Sequence, residues 1–330
     1  MKRRAQWVAV VLGVALVIAG GIALYRLDTT GERGNGLGDA FNYSLDRWQR
    51  TDPRLIGYRP ELKILTHFAE ARGVAVGPDD AIYVVGDRVV QVFDPAGHPV
   101  RAIESEAEPR CLAVASDGDL FVGLKDHVEV LDETGKRLAT WDSLGDNALI
   151  TSVALASNDV FVADAGNRAV VRYSRAGELR GKIGGFIVPS PYLDVVVDSD
   201  GMLRAVNPGK HRIETYADDG TLTAAWGKAS IGVQGFAGCC NPVHLAVLPN
   251  REFVTSEKGL SRVKIYSRDG AFVCVVAGPE MFEGPKGPGS GQDSMDGKLG
   301  WANDVAADSG GRVIVLDPKQ AAVMVFVKNE

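Results

Sequence analysis

Six stretches of the chain repeat one pattern: an apolar strand, a Gly/Asp turn, a second apolar strand, a basic turn, a third strand, another Asp/Gly turn and a fourth strand. The second strands show it most plainly, at Ile82-Tyr83-Val84-Val85, Leu120-Phe121-Val122-Gly123, Val160-Phe161-Val162-Ala163, Leu203-Arg204-Ala205-Val206, Phe253-Val254-Thr255-Ser256 and Val313-Ile314-Val315-Leu316. The first strands begin near Val74, Leu112, Val153, Val195, Leu245 and Val305, at spacings of 38, 41, 42, 50 and 60 residues. A four-strand unit of this period cannot bury both faces alone, and stacked radially it makes a β-propeller. The expected fold is therefore all-β, a six-bladed β-propeller over residues 51–330. The repeat overrides the two-domain expectation that a length of 330 residues would otherwise carry.

The sixth unit ends after three strands, at Val323–Val327. The segment Leu55–Leu65 precedes the first unit and is apolar enough to supply the missing strand, which would close the ring and remove an open sheet edge. Asp117-Gly118, Asp200-Gly201, Ala176-Gly177, Asp219-Gly220 and Asp269-Gly270 occupy the expected hairpin turns, where glycine takes a positive φ without steric cost.

Residues 1–25 stand outside the repeat. Lys2-Arg3-Arg4 precedes Trp7–Tyr25, a run of 19 residues without a charge. At ~1.5 Å per residue this run nearly spans a ~30 Å hydrocarbon core. The basic flank predicts a cytoplasmic N-terminus, a transmembrane helix and a propeller in the periplasm or outside the cell. A cleaved signal peptide is the competing reading, with Ala19-Gly20-Gly21 as small residues for a peptidase. Residues 26–50 are polar and Gly-rich, as in a flexible stalk, and contain the glycosylation-type triplet Asn42-Tyr43-Ser44. A net charge of −6, with no basic run beyond the first four residues, argues against a nucleic-acid partner.

In a propeller the entries to the inner strands and the second-to-third turns share one face, around the channel mouth. The long insertions fall there: 184–191, 227–242 and the Gly/Pro-rich 278–301. Long loops on a rigid frame are the usual place for binding. Aligning the inner strands gives a ring of Gly73, Cys111, Ser152, Asp194, His244 and Asp304, followed two positions later by Ala75, Ala113, Ala154, Val196, Ala246 and Ala306. Asp194, His244 and Asp304 lie on three consecutive blades; two carboxylates and an imidazole suit a divalent metal or acid–base chemistry. The alternative is that they bond to loop amides and solvent. Removing either aspartate is expected to change ligand affinity far more than folding. Arg72 and Arg110 are candidates for an anionic ligand, or for local pairing with Glu70 and Glu108.

The cysteines are Cys111, Cys239, Cys240 and Cys274. Adjacent Cys239-Cys240 leaves three readings open: a vicinal disulfide, pairing of one with another cysteine, or free thiols that bind a soft metal. A bridge to Cys111 would have to cross the channel. Cys274 is expected in the core of an outer strand. No CxxC, GxSxG, Walker or HExxH pattern occurs.

The third unit carries Val162-Ala163-Asp164-Ala165-Gly166-Asn167-Arg168-Ala169-Val170-Val171, ending in Gly181-Lys182-Ile183-Gly184. This Ala-Asp-x-Gly-Asn-Arg core resembles the NHL repeat, and the resemblance covers residues 54–330. The other units are degenerate, with Gly86-Asp87-Arg88, Lys125-Asp126-His127 and Pro318-Lys319-Gln320 at the middle turn. The resemblance implies a binding scaffold, or a hydrolase or lyase of the gluconolactonase-like or amidating-lyase type, with no universal catalytic residue. The leading expectation is a membrane-anchored, non-enzymatic module that binds a protein, peptide or glycan at its mouth. The alternatives are a channel-mouth enzyme using Asp194, His244 and Asp304, and a metal or redox accessory protein using Cys239-Cys240.

Overall fold

In the computed structural model the chain divides into two compact units, Met1–Arg47 and Trp48–Glu330. The structure describes residues 48–282 and 302–330, with Trp7, Gly13, Ile18 and Gly20 as isolated helical positions. Apart from those four positions, the expected transmembrane run 7–25, most of the stalk including Asn42, and residues 283–301 of the 278–301 insertion lie outside the described residues. Among the described residues no helix is long and apolar enough to cross a membrane.

The described strands form six antiparallel sheets of four. After one 3-10 turn at Pro53–Leu55, β1 runs Tyr58–Leu65. The first blade is β2 (Ala71–Val76), β3 (Ile82–Gly86), β4 (Val89–Phe93) and β5 (Pro99–Glu104). The second is β6 (Cys111–Val114), β7 (Leu120–Gly123), β8 (Val128–Leu131) and β9 (Arg137–Thr140). The third is β10 (Ile150–Leu155), β11 (Asp159–Asp164), β12 (Ala169–Ser174) and β13 (Leu179–Ile183). The fourth is β14 (Val195–Val197), β15 (Leu203–Asn207), β16 (Arg212–Tyr216) and β17 (Leu222–Trp226). The fifth is β18 (His244–Val247), β19 (Phe253–Glu257), β20 (Arg262–Tyr266) and β21 (Phe272–Ala277). The sixth joins β22 (Asp304–Ala307), β23 (Val313–Asp317) and β24 (Ala322–Lys328) to β1.

β1 is the strand that the sixth repeat lacks. It pairs with β24 from Tyr58 opposite Lys328 to Leu65 opposite Ala322, with one register shift between Pro60 and Leu62. The start of the Leu55–Leu65 segment leans the other way: Ile56 bridges Val275 in β21 of the fifth blade. The N-terminal strand thus completes one blade and touches its neighbour.

The second strands of all six blades are buried along their whole length. They are covered on both faces by adjoining blades, so they read as continuous apolar runs rather than alternating ones. The outer strands β9, β13 and β17 are mostly exposed or half-buried. Six clusters of buried side chains fill the spaces between consecutive blades, including Val254, Val305, Val315 and Phe326 between the fifth and sixth, and Ile82, Val84, Ile314 and Val323 between the sixth and first. The hairpin glycines adopt the expected positive φ. At Gly270 (φ +79°) a Cβ would also sit 2.4 Å from the Trp226 ring of the preceding blade.

Candidate functional site

Six inner strands surround a channel with a cavity of about 360 Å³, lined by Cys111, Ser152, Asp194, His244 and Asp304 and by the small ring beneath them. Their equivalence is set by register: Leu112, Val153, Val195, Leu245 and Val305, each one residue past the ring, pair with the third residue of the repeated second-strand quartet, Val122, Val162, Ala205, Thr255 and Val315.

Asp194, His244 and Asp304 converge. One ligating atom from each lies within 4.8 Å of the others. His244 Nδ1 is 3.2 Å from Asp304 Oδ1 and 3.5 Å from Asp194 Oδ2. These separations match the ~3.3 Å edge of a tetrahedron built on ~2.0 Å metal bonds, so the donors suit a divalent cation as well as a shared proton. Burial pushes the Asp304 carboxyl up to about 6, with Asp194 adding to the rise and His244 opposing it. Burial disfavours a charged His244, but Asp304 and Asp194 outweigh it and its pKa is raised.

All four carboxylate oxygens also accept backbone amides. Asp194 Oδ1 takes the N–H of Val195 at 2.9 Å and Oδ2 that of Leu245 at 2.7 Å. Asp304 Oδ1 takes the N–H of Val305 and Oδ2 that of Val74, both at 2.8 Å. In each case one donor belongs to the next blade. Ser152 does the same more weakly, accepting from Val195 N at 3.3 Å. These side chains stitch adjoining inner strands, so their removal should cost folding as well as any ligand affinity. A carboxylate at the entry to one strand is positioned to meet the first free amide of its neighbour.

The two arginines differ. Arg72 pairs with Glu70 at 2.6 Å and Glu108 at 2.8 Å, the local pairing that was the alternative to a ligand role. Arg110 is half-buried, and its guanidinium makes no hydrogen bond or ion pair with any described residue. Burial lowers its pKa, with Arg72 adding to the effect.

The 227–242 insertion forms one wall of the mouth. His211 Nε2 contacts Gly238 O at 2.6 Å. Asn241 binds both sides of the opening, donating to Ala237 O at 2.6 Å and Lys258 O at 3.0 Å and accepting from Lys258 N at 2.8 Å. Cys239 is exposed, Cys240 is buried, and both are free, with sulfurs 3.3 Å apart. Neither pairs with Cys111 or Cys274. Cys274 is half-buried on β21 rather than fully in the core, because it packs over Gly57, where a Cβ would lie 2.6 Å from its sulfur.

Sequence reading missed several residues here. The Tyr192 ring meets His244 edge-on at 5.5 Å, and Lys258 Nζ lies 5.4 Å from the Tyr192 centroid. Beneath the insertion Lys264 is fully buried, 2.9 Å from Glu257, and donates to Gly235 O at 2.6 Å and Val233 O at 3.2 Å. Arg262 pairs with the same glutamate at 2.7 Å. The available signal was Arg262 and Lys264 alternating along β20 with Glu257 ending β19, but such alternation also reads as an exposed strand face.

Neither a family model nor a curated protein matches the chain. Solved structures do match in fold. Streptogramin B lyase aligns with a TM-score of 0.56 at 11% identity, covering 83% of this chain and 98% of that one. Virginiamycin B lyase from Staphylococcus aureus aligns at 0.55 and 11%, covering 82% of this chain and 100% of its own, as does a catalytically inactive form with quinupristin. At this identity the likeness shows the six-bladed propeller fold alone. The resemblance to the NHL repeat rests on the third unit's motif.

Proposed function

We propose that the protein is a binding propeller, carried outside the cytoplasm on an N-terminal membrane anchor, that takes a protein, peptide or glycan ligand at its channel mouth. The observation that carries this reading is the state of the polar floor. Every oxygen of Asp194 and Asp304 is already engaged by a backbone amide, which suits a rigid frame for recognition better than a mobile base or nucleophile. Arg110, unpaired among the described residues and next in sequence to Cys111 of the ring, favours a ligand with an acidic group. The full-length chain should capture acidic peptides or acidic glycans from an array, and Arg110→Ala should weaken that capture about tenfold or more, one to two charge-assisted hydrogen bonds being lost. Equal capture by the variant would overturn the site.

A second reading is a lyase or hydrolase. It is favoured by His244 lying between two carboxylates in the channel cavity, and the solved structures of like fold are lyases. Consumption of quinupristin or a lactone by the full-length chain with added divalent metal, lost in His244→Ala, would support it over the first.

A further inference from the structure

We propose that Cys239 and Cys240 form a redox-modified dithiol at the rim of the mouth, closed to a vicinal disulfide by exchange with a small-molecule disulfide. The two sulfurs are already in contact at 3.3 Å, on a segment pinned at both flanks by His211, Asn241 and Glu257. Little chain freedom remains to be lost when they join. Cys239 is exposed, so an incoming disulfide can reach it, while Cys240 is packed behind it. Burial alone would raise the Cys240 pKa, but Ser190, Cys239 and Lys258 together bring it down. Thiolate character beside a cation is the condition for a reactive cysteine.

A soft cation is the competing occupant, and two features speak against it. Among the described residues no third His, Cys, Asp or Glu donor joins the two sulfurs in a metal-ligand cluster. The Lys258 ammonium, close enough to lower the Cys240 pKa, would also repel a bound cation. Cys111 and Cys274 serve as internal controls, because burial pushes both thiols up, the latter to about 11.

The exchange balances in two steps. The hydrogen bond to Cys240 holds the Cys239 pKa up, so Cys239 passes its proton to the Cys240 thiolate as it attacks one sulfur of the reagent. The reagent S–S bond breaks, and one reagent thiolate leaves and takes up from solvent the proton that Cys240 had released. The Cys240 thiolate then attacks Cys239 Sγ, forming the Sγ–Sγ bond and displacing the second reagent thiolate, which takes the proton of Cys240. Two protein S–H bonds are replaced by one S–S bond, and the reagent disulfide is reduced to two thiols. Adjacent residues lie ~3.8 Å apart at Cα, below the usual span of a disulfide, so the closed form should be readily reduced again.

The test equilibrates the reduced full-length chain with glutathione buffers of rising oxidised fraction, traps free thiols by alkylation and maps the peptides. The expected product is a link within the peptide containing Cys239 and Cys240, with Cys111 and Cys274 still alkylated after denaturation. Cys240→Ser should stop at a glutathione adduct on Cys239. Lys258→Met should slow closure roughly tenfold at neutral pH, because loss of the ammonium leaves less thiolate, and the gap should vanish at alkaline pH. A pair that stays reduced at every ratio, a stable adduct on wild-type Cys239, or links only between chains would each overturn the proposal.

Discussion

Asp304 serves two purposes at once: it faces His244 across the channel and holds the Val74 amide of the next blade. Asp304→Ala leaves two buried amides without acceptors and should destabilise the fold by about 1–3 kcal/mol in urea titrations. Asp304→Asn keeps one accepting oxygen and should lose clearly less. Equal losses would mean that the backbone bonds contribute nothing. Lys264 offers a pH test. It titrates at about 8 in the folded chain, below its ordinary 10.5, because burial penalises the ammonium. Between these values the unfolded chain holds a proton that the folded chain has released, so this residue's contribution to stability rises with pH across the window. The buried tyrosines and cysteines titrate oppositely, but they do so equally in Lys264→Met. The stability of wild type relative to that variant should therefore grow by up to ~3 kcal/mol as the pH rises through that window, the free energy of one proton held over such a span. A flat difference would show that Lys264 is not held as a buried cation.

At the level of elements, β1 decides whether the ring is closed. It covers the edge of β24 over its full length, and its Tyr58 and Ile64 enter the clusters on either side of the sixth blade. Removing residues 51–66 exposes that edge and opens both clusters. The truncated chain should lose its cooperative thermal transition or aggregate, as an unpaired apolar edge invites. A truncated chain that melts like the parent would show β1 to be dispensable. The turn residues work at the same scale. Asp164 accepts from Leu149 N and Asn167 N at 3.0 Å and from Asn167 Nδ2 at 2.6 Å. The Asp-x-Gly-Asn motif thus ties its own hairpin to the connection that arrives from the previous blade. In the degenerate sixth unit Asp317 and Gln320 reproduce part of that clamp.

For the whole molecule, each blade is stable only between two others, so the six clusters and the closing strand make one cooperative ring. The 7–25 run bears on where that ring resides. The full-length chain should sediment with membranes, resist carbonate extraction and keep Lys2-Arg3-Arg4 at its N-terminus. A mature chain beginning near Ile22 would instead mark a cleaved signal and a released propeller.

The sequence by itself determined the blade count, the missing sixth-blade strand and the ring of Asp194, His244 and Asp304. Those features follow from strand period and register, which repeat along the chain and need no knowledge of distant contacts. Tertiary structure alone decided that the aspartates stitch neighbouring blades and that, among the described residues, Arg72 is paired while Arg110 is not. It also decided that Lys264 is buried under the 227–242 insertion, and that Tyr192 and Lys258 join the mouth. Each of these depends on an irregular loop or a neighbouring blade bringing together groups far apart in the chain. Local periodicity carries no record of such meetings, because the conformation of an insertion is set by what it packs against.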